Sequence, residues 1–367
     1  MGAGEDTTPL ISLDHEGLVI RRGRRSGAYT IVAVHSTKLG PALGGCRMWR
    51  YASSADGARD ALRLARAMTF KAAAARVPLG GGKGVICVQP GGPPSGARRR
   101  DMLLDFADTV NVLDGAYITA EDVGTSSADM IVIRERTEHV AGLPGSHGGS
   151  GDPSPFTALG VESAMRACCA HRFGSPELAG RAVAIVGIGR VGSQLARRLG
   201  DAGARLFLAD IDESKRALVD ELPGAQWCDP NVALHAEVEV VAPCALGGVV
   251  NESNVELLRC AIVCGSANNQ LAHEGLAEDL HARGILYAPD FVANAGGLIN
   301  IAVEREGYDR ERATQRVRGI EDTIEELFEE AESEGTTPLA AAQRLARGRL
   351  QAAAGQDAGA FEVAMRA

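Results

Sequence analysis

A glycine-rich motif between a strand pattern and a helix pattern constrains the fold more than any other feature of this chain. The motif GIGRVG, residues 187–192, directly follows the apolar run RAVAIV at 181–186 and precedes a helical pattern over 191–202. In this context the first glycine makes a sharp turn, the second leaves room for a pyrophosphate, and the third lets the helix pack closely. The glycines are Gly187, Gly189 and Gly192. The motif therefore predicts a dinucleotide-binding βαβ unit.

An acidic residue, Asp210, ends the next predicted strand, ARLFLAD at 204–210. A carboxylate at this place would accept hydrogen bonds from both ribose hydroxyls and would repel a 2′-phosphate. The start of the motif's helix would supply N–H groups and a positive dipole end to the pyrophosphate. We therefore predict NAD rather than NADP, with a Rossmann domain that has lost its cofactor as the alternative.

Strand and helix patterns alternate beyond residue 156, which predicts a doubly wound parallel sheet. The segment LPGSHGGSGDPSP, residues 143–155, concentrates Gly, Pro, Ser and Asp, as is typical of a linker or hinge. We predict a two-domain α/β protein with an N-terminal α/β substrate and oligomerisation domain at 1–148. A Rossmann domain at 149–334 follows, and C-terminal helices at 335–367 are expected to pack back on the first domain.

Local patterns predict further elements. In the first domain the predicted strands are 29–35, 84–88 and 116–119, and the predicted helices are 56–74 and 99–113. Near the C-terminus an acidic helical pattern runs from Asp309, a candidate N-cap, to about Glu334, and Gly335 is expected to end it.

Composition excludes several classes of function. The net charge of −9 has the wrong sign for a general electrostatic grip on nucleic acid or anionic lipid. No apolar run approaches the roughly 18 residues that span a bilayer, and the N-terminus is acidic where a secretory signal would be basic. We therefore expect a cytoplasmic protein. The eight cysteines form no CxxC pair and the eight histidines no HxH or HxxxH pair, so neither a disulfide framework nor a metal site is predicted.

Two lysines lie among glycines and small apolar residues in the N-terminal half: Lys71 in MTFK and Lys83 in PLGGGKGV. A lysine in a dry pocket can lose its proton near neutral pH and act as a base. Asp122, in AEDVGTS, follows a predicted strand. Each lysine could instead be a solvated or phosphate-facing cation, and the aspartate a cap for the next segment.

Several sequence blocks between about residues 28 and 350 share the order and spacing of one family. The blocks are LGPALGG, RMW, DALRLARAMTFK, LGGGK, ITAEDVGTS, GIGRVG, APCALGG, GSANNQLA and YAPDFVANAGGLIN. The chain thereby resembles the leucine, valine and phenylalanine dehydrogenases, relatives of glutamate dehydrogenase. The resemblance implies reversible, NAD-dependent oxidative deamination of an L-amino acid to a 2-oxo acid and ammonia. It also implies a homo-oligomer, since family members commonly assemble through the N-terminal domain.

The same resemblance implies roles for single residues. Lys71 would bind the substrate carboxylate, and Lys83, kept neutral by burial and its neighbouring cation, would be the general base. Asp122 would shuttle a proton to and from the amino group, Asn269 would orient the substrate, and Thr157 would bind the nicotinamide carboxamide. The other implied substrate-binding residues are Leu43, Gly44, Gly45, Met68, Ala120, Ala141, Leu298 and Ile301. The implied cofactor-binding residues are Gly187, Gly189, Arg190, Val191, Gly192, Asp210, Thr157, Ala245, Asn269 and Asn294.

Residues of the implied side-chain pocket predict an apolar substrate. Glutamate dehydrogenases carry a lysine and a serine where this chain has Leu43 and Ile301, and a carboxylate buried against these would lack a partner. Ala120, typical of leucine enzymes, favours branched-chain amino acids. Ala141 and Leu298 stand where leucine enzymes commonly have threonine and valine, which leaves phenylalanine or another aromatic amino acid as the alternative. A catalytically silent sensor of NAD or amino acid is a remote third possibility.

One segment departs from the family pattern. Family members usually have AAAGL before the lysine-bearing glycine run, whereas this chain has AAAARV. Ala75 and Arg76 are therefore expected to alter the approach of that run, which the sequence suggests is a loop.

Overall fold

The computed structural model describes residues 14–88 and 93–353. The chain divides into two compact units. Of the described residues, the first comprises 14–73, 78–88, 93–151 and 350–353, and the second comprises 74–77 and 152–349. The helical segment expected to return to the first domain, 335–367, is thus assigned to the second unit up to Arg349. Its apolar side explains this difference, because Leu339 packs against the core of the second unit.

The first unit is a five-stranded sheet with helices on both faces. Its strands are β1 (Gly17–Arg22), β2 (Tyr29–Ser36), β3 (Ala42–Trp49), β4 (Gly80–Cys87) and β5 (Tyr117–Glu121), and its helices are α1 (Ser54–Ala74), α2 (Gly96–Asn111) and α3 (Ser127–Arg134). The strand order is β1-β2-β4-β3-β5. Strands β3, β4 and β5 run parallel to one another, while β1 and β2, and β2 and β4, pair antiparallel.

Each face of this sheet has its own hydrophobic core. On one face Leu62 of α1 packs against Ile31 and Val85. On the other, Phe106 of α2 packs with Val32 of β2 and with neighbouring apolar residues of α3. The alternation of side chains along each strand therefore assigns every strand residue either to the α1 side or to the α2 side.

Two strands of this sheet were not predicted, and the supposed lysine loop is a strand. β1 and β3 were missed, and the glycine run 80–84 is paired throughout as part of β4. Glycine weakens a strand by itself, but here bulky rings need the space. A Cβ on Gly82 would lie 2.6 Å from the ring of Tyr117, and one on Gly84 would lie 2.4 Å from the ring of Phe106. Tertiary packing thus overrides local propensity.

The second unit contains a six-stranded, fully parallel sheet. Its strands are β6 (Ala182–Val186), β7 (Arg205–Ala209), β8 (Gln226–Trp227), β9 (Val240–Pro243), β10 (Ile262–Val263) and β11 (Leu286–Tyr287). Its helices are α4 (Ser154–Phe173), α5 (Arg190–Asp201), α6 (Leu218–Glu221), α7 (Pro230–Leu234), α8 (Leu276–Ala282), α9 (Asp290–Ala293), α10 (Gly296–Glu304), α11 (Arg310–Arg318), α12 (Ile320–Glu334) and α13 (Pro338–Ala353). The order β11-β10-β9-β6-β7-β8 reverses direction between β6 and β9. The predicted doubly wound sheet is confirmed, and this reversal is the place where such sheets bind ligands.

The predicted boundaries of the acidic C-terminal helix are confirmed, with one interruption. Asp309 caps α11 by accepting hydrogen bonds from the backbone N–H groups of Glu311 and Arg312, and Gly335 ends α12 in the left-handed conformation. Gly319 separates the two helices.

Two predictions from composition concern the cysteines and the possibility of membrane-spanning helices. All eight cysteines are free, and most are buried. Across residues 14–88 and 93–353, no helix combines the length and apolarity needed to cross a bilayer.

Arg76 occupies an unusual backbone position just after α1. Its φ of +55° lies in the left-handed region, which disfavours residues that carry a Cβ. Its guanidinium forms an exposed ion pair with Glu326 of α12. Exposed ion pairs of this kind contribute little to stability. The ion pair with Glu326 therefore offsets little of the free-energy cost of the left-handed backbone at Arg76.

We predict that Arg76→Gly is more stable than Arg76→Ala by roughly 0.5–1 kcal/mol, because relief of the left-handed strain exceeds the extra unfolded-state entropy of glycine. Both variants lose the ion pair, so their difference isolates the backbone term. Denaturant unfolding of the two variants measures it, and Glu326→Gln serves as the control for the ion pair alone. An alanine variant as stable as the glycine variant would contradict the prediction.

Candidate active site

The α1 side of the first sheet gathers the predicted substrate residues of that unit. Leu43, Gly45 and Arg47 alternate onto this face of β3, and Gly45 lies beside Ala120 of β5 in the register. Lys83 lies on the same face of β4 as Val85, which packs against α1. The parallel pairing of three strands therefore brings residues from separate sequence blocks together.

Lys83 and Asp122 form the central contact of this face. The Lys83 Nζ atom donates to Asp122 Oδ2 at 2.9 Å, and the lysine side chain is only 6% exposed. The structure confirms the predicted burial of Lys83. The neighbour found on its amine is a carboxylate, whereas the sequence suggested a second cation. A proton donor and a proton acceptor thus lie within transfer distance of each other.

A second cation reaches the same carboxylate oxygen. Arg47 Nε donates to Asp122 Oδ2 at 3.0 Å, and Arg47 Nη1 donates to Asp60 Oδ2 at 2.9 Å. The Tyr51 hydroxyl donates to Asp60 Oδ2 at 2.7 Å. The sequence analysis did not single out Arg47, Asp60 or Tyr51, although Arg47 opens the RMW block and strand alternation places it on the face that carries Gly45.

The charges around Asp122 determine its protonation. Burial alone would raise the pKa of this carboxyl, but the nearby Lys83 and Arg47 outweigh burial and hold the pKa below its ordinary value of 3.8. Asp122 is therefore an ionised carboxylate at neutral pH and can accept a proton from a bound group.

Glycines of β3 leave no room for side chains around this pair. A Cβ on Gly44 would lie 1.7 Å from the carbonyl oxygen of Gly82, and one on Gly45 would lie 2.6 Å from Cβ of Asp122. The side chain of Asp122 thus packs through its Cβ on the backbone of β3 at Gly45. The close approach explains why both positions need glycine.

Apolar residues flank the charged pair within the first unit. Leu43, Ala120 and Ala141 are each at most 4% exposed. The backbone N–H of Ala141 donates to Thr119 O at 2.8 Å, which holds it next to β5. Lys71 and Met68 lie in the last turns of α1 and are partly exposed. In the second unit, Leu298 and Ile301 are buried on α10.

The three glycines of the predicted dinucleotide motif in the second unit differ in how closely protein atoms surround them. Gly187 has a φ of +107°, and its Cβ would lie 2.5 Å from the backbone N of Ala245. A Cβ on Gly192 would lie 2.0 Å from Gly187 O, so the helix packs tightly on the turn. A Cβ on Gly189 would meet no protein atom within 4 Å, so space remains there for a ligand. Arg190 and Val191 begin α5 next to this space.

Asp210 follows β7 and holds the glycine-rich turn. Its Oδ2 accepts a hydrogen bond from Ile188 N at 2.6 Å, and its Oδ1 accepts one from Asp212 N at 2.8 Å. Two backbone donors therefore orient the carboxylate beside the open space at Gly189. The chemistry of these residues fits a dinucleotide whose ribose hydroxyls meet this carboxylate.

The loop after β10 presents Asn269 in a constrained backbone conformation. Its φ of +52° is left-handed, which asparagine tolerates better than most residues. The Asn294 side-chain amide donates to Ser266 O at 3.1 Å and to Asn268 Oδ1 at 2.8 Å, so it braces this loop. The Thr157 hydroxyl donates to Pro153 O at 3.0 Å, which leaves its oxygen able to accept a further bond.

We also looked for clusters of side chains that could bind a metal ion in the part of the chain that the structure describes. There, no group of three or more His, Cys, Asp or Glu side chains could hold a metal ion.

Comparisons with known proteins identify two family models. Residues 19–139 match the dimerisation domain of the Glu/Leu/Phe/Val dehydrogenases, and residues 205–358 match the Glutamate/Leucine/Phenylalanine/Valine dehydrogenase model. The chain is 44% identical to leucine dehydrogenase of Thermoactinomyces intermedius over 92% of this chain and 91% of that protein. It is 42% identical to valine dehydrogenase of Streptomyces albus over 92% of each. The crystal structure of L-tryptophan dehydrogenase from Nostoc punctiforme has a TM-score of 0.80 at 37% identity, covering 94% of this chain and 98% of that one.

The glycine geometry generates a test of the dinucleotide motif. We predict that Gly189→Ala unfolds at the wild-type temperature but binds NAD at least tenfold more weakly, because its Cβ enters only the ligand space. Gly192→Ala should lower the unfolding temperature, because its Cβ meets the backbone of Gly187. Thermal unfolding and calorimetric NAD titration measure the two effects, and wild-type NAD affinity in Gly189→Ala would refute this placement of the pyrophosphate.

Proposed function

The chain belongs to the Glu/Leu/Phe/Val dehydrogenase family and is an amino acid dehydrogenase, and from that premise we propose that its substrates are branched-chain L-amino acids and its cofactor NAD. The reaction is the reversible oxidative deamination of leucine, valine or isoleucine to the 2-oxo acid and ammonia. The observation that carries this proposal is the ion pair between the buried Lys83 and the partly buried Asp122, beside the apolar residues Leu43, Ala120 and Ala141.

Substrate binding combines one charge with an apolar surface. In the proposal, Lys71 at the end of α1 holds the substrate carboxylate as a charge partner. Leu43, Ala120 and Ala141 supply the apolar surface of the first unit. A glutamate side chain would find Leu43 in place of a cation, so burying its carboxylate there would cost several kcal/mol.

Proton transfers fall to Asp122 and Lys83. The ionised Asp122 accepts a proton from the substrate ammonium group and returns it to the departing ammonia. Lys83, an ammonium group in its ion pair with Asp122, releases its proton to solvent before hydrolysis and then, as the amine, takes the proton of the water that attacks the imino carbon. The 2.9 Å contact between Nζ and Oδ2 lets the two groups exchange a proton between these steps.

The second unit holds the cofactor in this proposal. When bound, NAD supplies the acceptor for the hydride that leaves the substrate Cα. The turn at Gly187 and Gly189 and the start of α5 bind the pyrophosphate. Asp210 accepts the ribose hydroxyls, and Thr157 accepts the N–H of the nicotinamide carboxamide. Asn269 orients the substrate, with its loop braced by the Asn294 amide.

Aromatic amino acids are the second candidate substrates. Ala141 is smaller than the threonine that leucine enzymes commonly have, and the structural neighbour at 37% identity is a tryptophan dehydrogenase. Pocket volume discriminates weakly, because one methylene changes specificity by only about 1–3 kcal/mol.

We also propose that the protein is a homo-oligomer that assembles through its first unit. The match of residues 19–139 to a dimerisation domain supports this proposal.

Substrate preference is tested by the rise in reduced-nicotinamide absorbance with purified protein, NAD and single amino acids at alkaline pH. We expect the highest kcat/KM with leucine, valine or isoleucine and no measurable rate with glutamate. Ala120→Gly should raise the phenylalanine-to-leucine ratio about tenfold, since removing the Ala120 methyl group leaves more space next to Leu43. Dominant phenylalanine or tryptophan activity in the wild type would replace the branched-chain proposal, and silence with every amino acid would favour a sensor.

Separate variants test the catalytic and cofactor roles. Lys83→Ala and Asp122→Asn should lower kcat by roughly 10²–10⁴-fold and leave NAD affinity near that of the wild type. Asp210→Ala should mainly weaken NAD, because the ribose and the backbone N–H of Ile188 lose their acceptor. Steady-state kinetics and NAD titration distinguish the two classes, and wild-type turnover in Lys83→Ala would rule out its assignment as the base.

A further inference from the structure

Arg47 joins the reactive carboxylate of the first unit to an acidic residue of α1. Its Nε donates to Asp122 Oδ2 at 3.0 Å and its Nη1 donates to Asp60 Oδ2 at 2.9 Å. We propose that Arg47 is a positioning residue that holds Asp122 with one oxygen, Oδ1, directed to the amino group of the substrate, and that Asp60 and Tyr51 anchor Arg47 for this task. The proposal rests on the proton-shuttle role of Asp122 in the proposed function.

The contacts of Asp122 leave its two oxygens unequal. Lys83 and Arg47 both donate to Oδ2, at 2.9 and 3.0 Å. The Cβ of Asp122 packs against the Cα of Gly45, where no side chain would fit. The backbone N–H of Asp122 also donates to the Thr125 hydroxyl oxygen at 2.9 Å, which fixes the turn after β5. With one oxygen held by two cations and the backbone fixed on two sides, Oδ1 is the oxygen that can receive the substrate proton.

Arginine suits this task better than lysine. Its planar guanidinium presents donors in fixed directions, so a bond from Nε to Asp122 dictates where Nη1 can donate. A lysine would present a single flexible charge. It could pair with the carboxylate of Asp122 or of Asp60 without fixing the orientation of one relative to the other. The side chain of Arg47 is 22% exposed, so these hydrogen bonds are only partly in contact with solvent.

Asp60 has the properties of an anchor. Tyr51 donates to its Oδ2 at 2.7 Å, and Arg63 donates to its Oδ1 at 2.8 Å. Burial raises the pKa of the Asp60 carboxyl, but these hydrogen bonds and the charge of Arg47 outweigh burial and leave the pKa below 3.8. Asp60 is thus a charged, fully engaged acceptor that ties β3 to α1, the helix that carries Lys71.

The test compares Arg47→Met, Arg47→Lys and Asp60→Asn with the wild type in steady-state kinetics in H₂O and D₂O. For Arg47→Met we expect kcat to fall roughly 10- to 100-fold, KM for NAD to stay within threefold, and the solvent isotope effect on kcat to rise. The isotope effect rises because a misplaced carboxylate makes proton transfer more rate-limiting. Arg47→Lys should recover only part of kcat, and Asp60→Asn should lower kcat with the same isotope signature.

A double variant tests whether Asp60 acts through Arg47. If it does, Arg47→Met combined with Asp60→Asn should have about the same kcat as Arg47→Met alone. Arg59→Met is the matched control. Arg59 lies on α1, as Asp60 does, but its ion pair is with the exposed Asp56. Its kcat and isotope effect should equal those of the wild type.

Two results would overturn the positioning role. One is a wild-type kcat in Arg47→Met, and the other is a lowered kcat with an unchanged solvent isotope effect, as expected when a variant merely loses folded enzyme. If Arg47→Met does not fold, Arg47→Lys and Asp60→Asn decide by the same criteria. A wild type that is silent with every amino acid would instead refute the proposed function, so the two failures are distinguishable.

Discussion

The site depends on how closely the backbones of the three parallel strands of the first unit, β3, β4 and β5, approach one another. Side-chain-free positions at Gly44 and Gly45 let β3 lie directly against β4 and against Asp122. The Tyr117 hydroxyl, which is buried on the other face, donates to Gly44 O at 2.5 Å and ties β5 to β3. Because the backbone occupies this space, the charged side chains are confined to one face of the sheet, where their mutual distances are set by the strand register.

The charged groups on that face form a chain of alternating sign. Lys83 contacts Asp122, Asp122 contacts Arg47, and Arg47 contacts Asp60, whose carboxylate also accepts a hydrogen bond from the uncharged Tyr51 hydroxyl. Each buried charge has an opposite partner, which limits the cost of removing it from water. Apolar neighbours flank the same face, so a ligand bound there would exchange water for hydrocarbon next to a charged pair. Such an arrangement strengthens electrostatic effects on the reacting atoms.

Sequence patterns predicted the second unit better than the first. The alternation of apolar runs and helices, the glycine motif and the caps at Asp309 and Gly335 are local signals, and they gave the parallel sheet and its helix boundaries closely. The first half of the strand that carries Lys83 was expected to be a loop, because glycine has a low strand propensity and the rings of Phe106 and Tyr117 that require it are distant in sequence. Arg47 and Asp60 were missed for a related reason, since their contact spans two elements.

Asp210, which we propose binds the ribose of the cofactor, also has a structural role. Both of its oxygens accept backbone hydrogen bonds, one from the glycine-rich turn and one from the segment after β7. Redesign of the enzyme for a phosphorylated dinucleotide would ordinarily begin by replacing this carboxylate with a small neutral residue. Here that exchange would also leave the N–H groups of Ile188 and Asp212 without their acceptor. Cofactor engineering in this scaffold therefore requires rebuilding the turn together with the side chain.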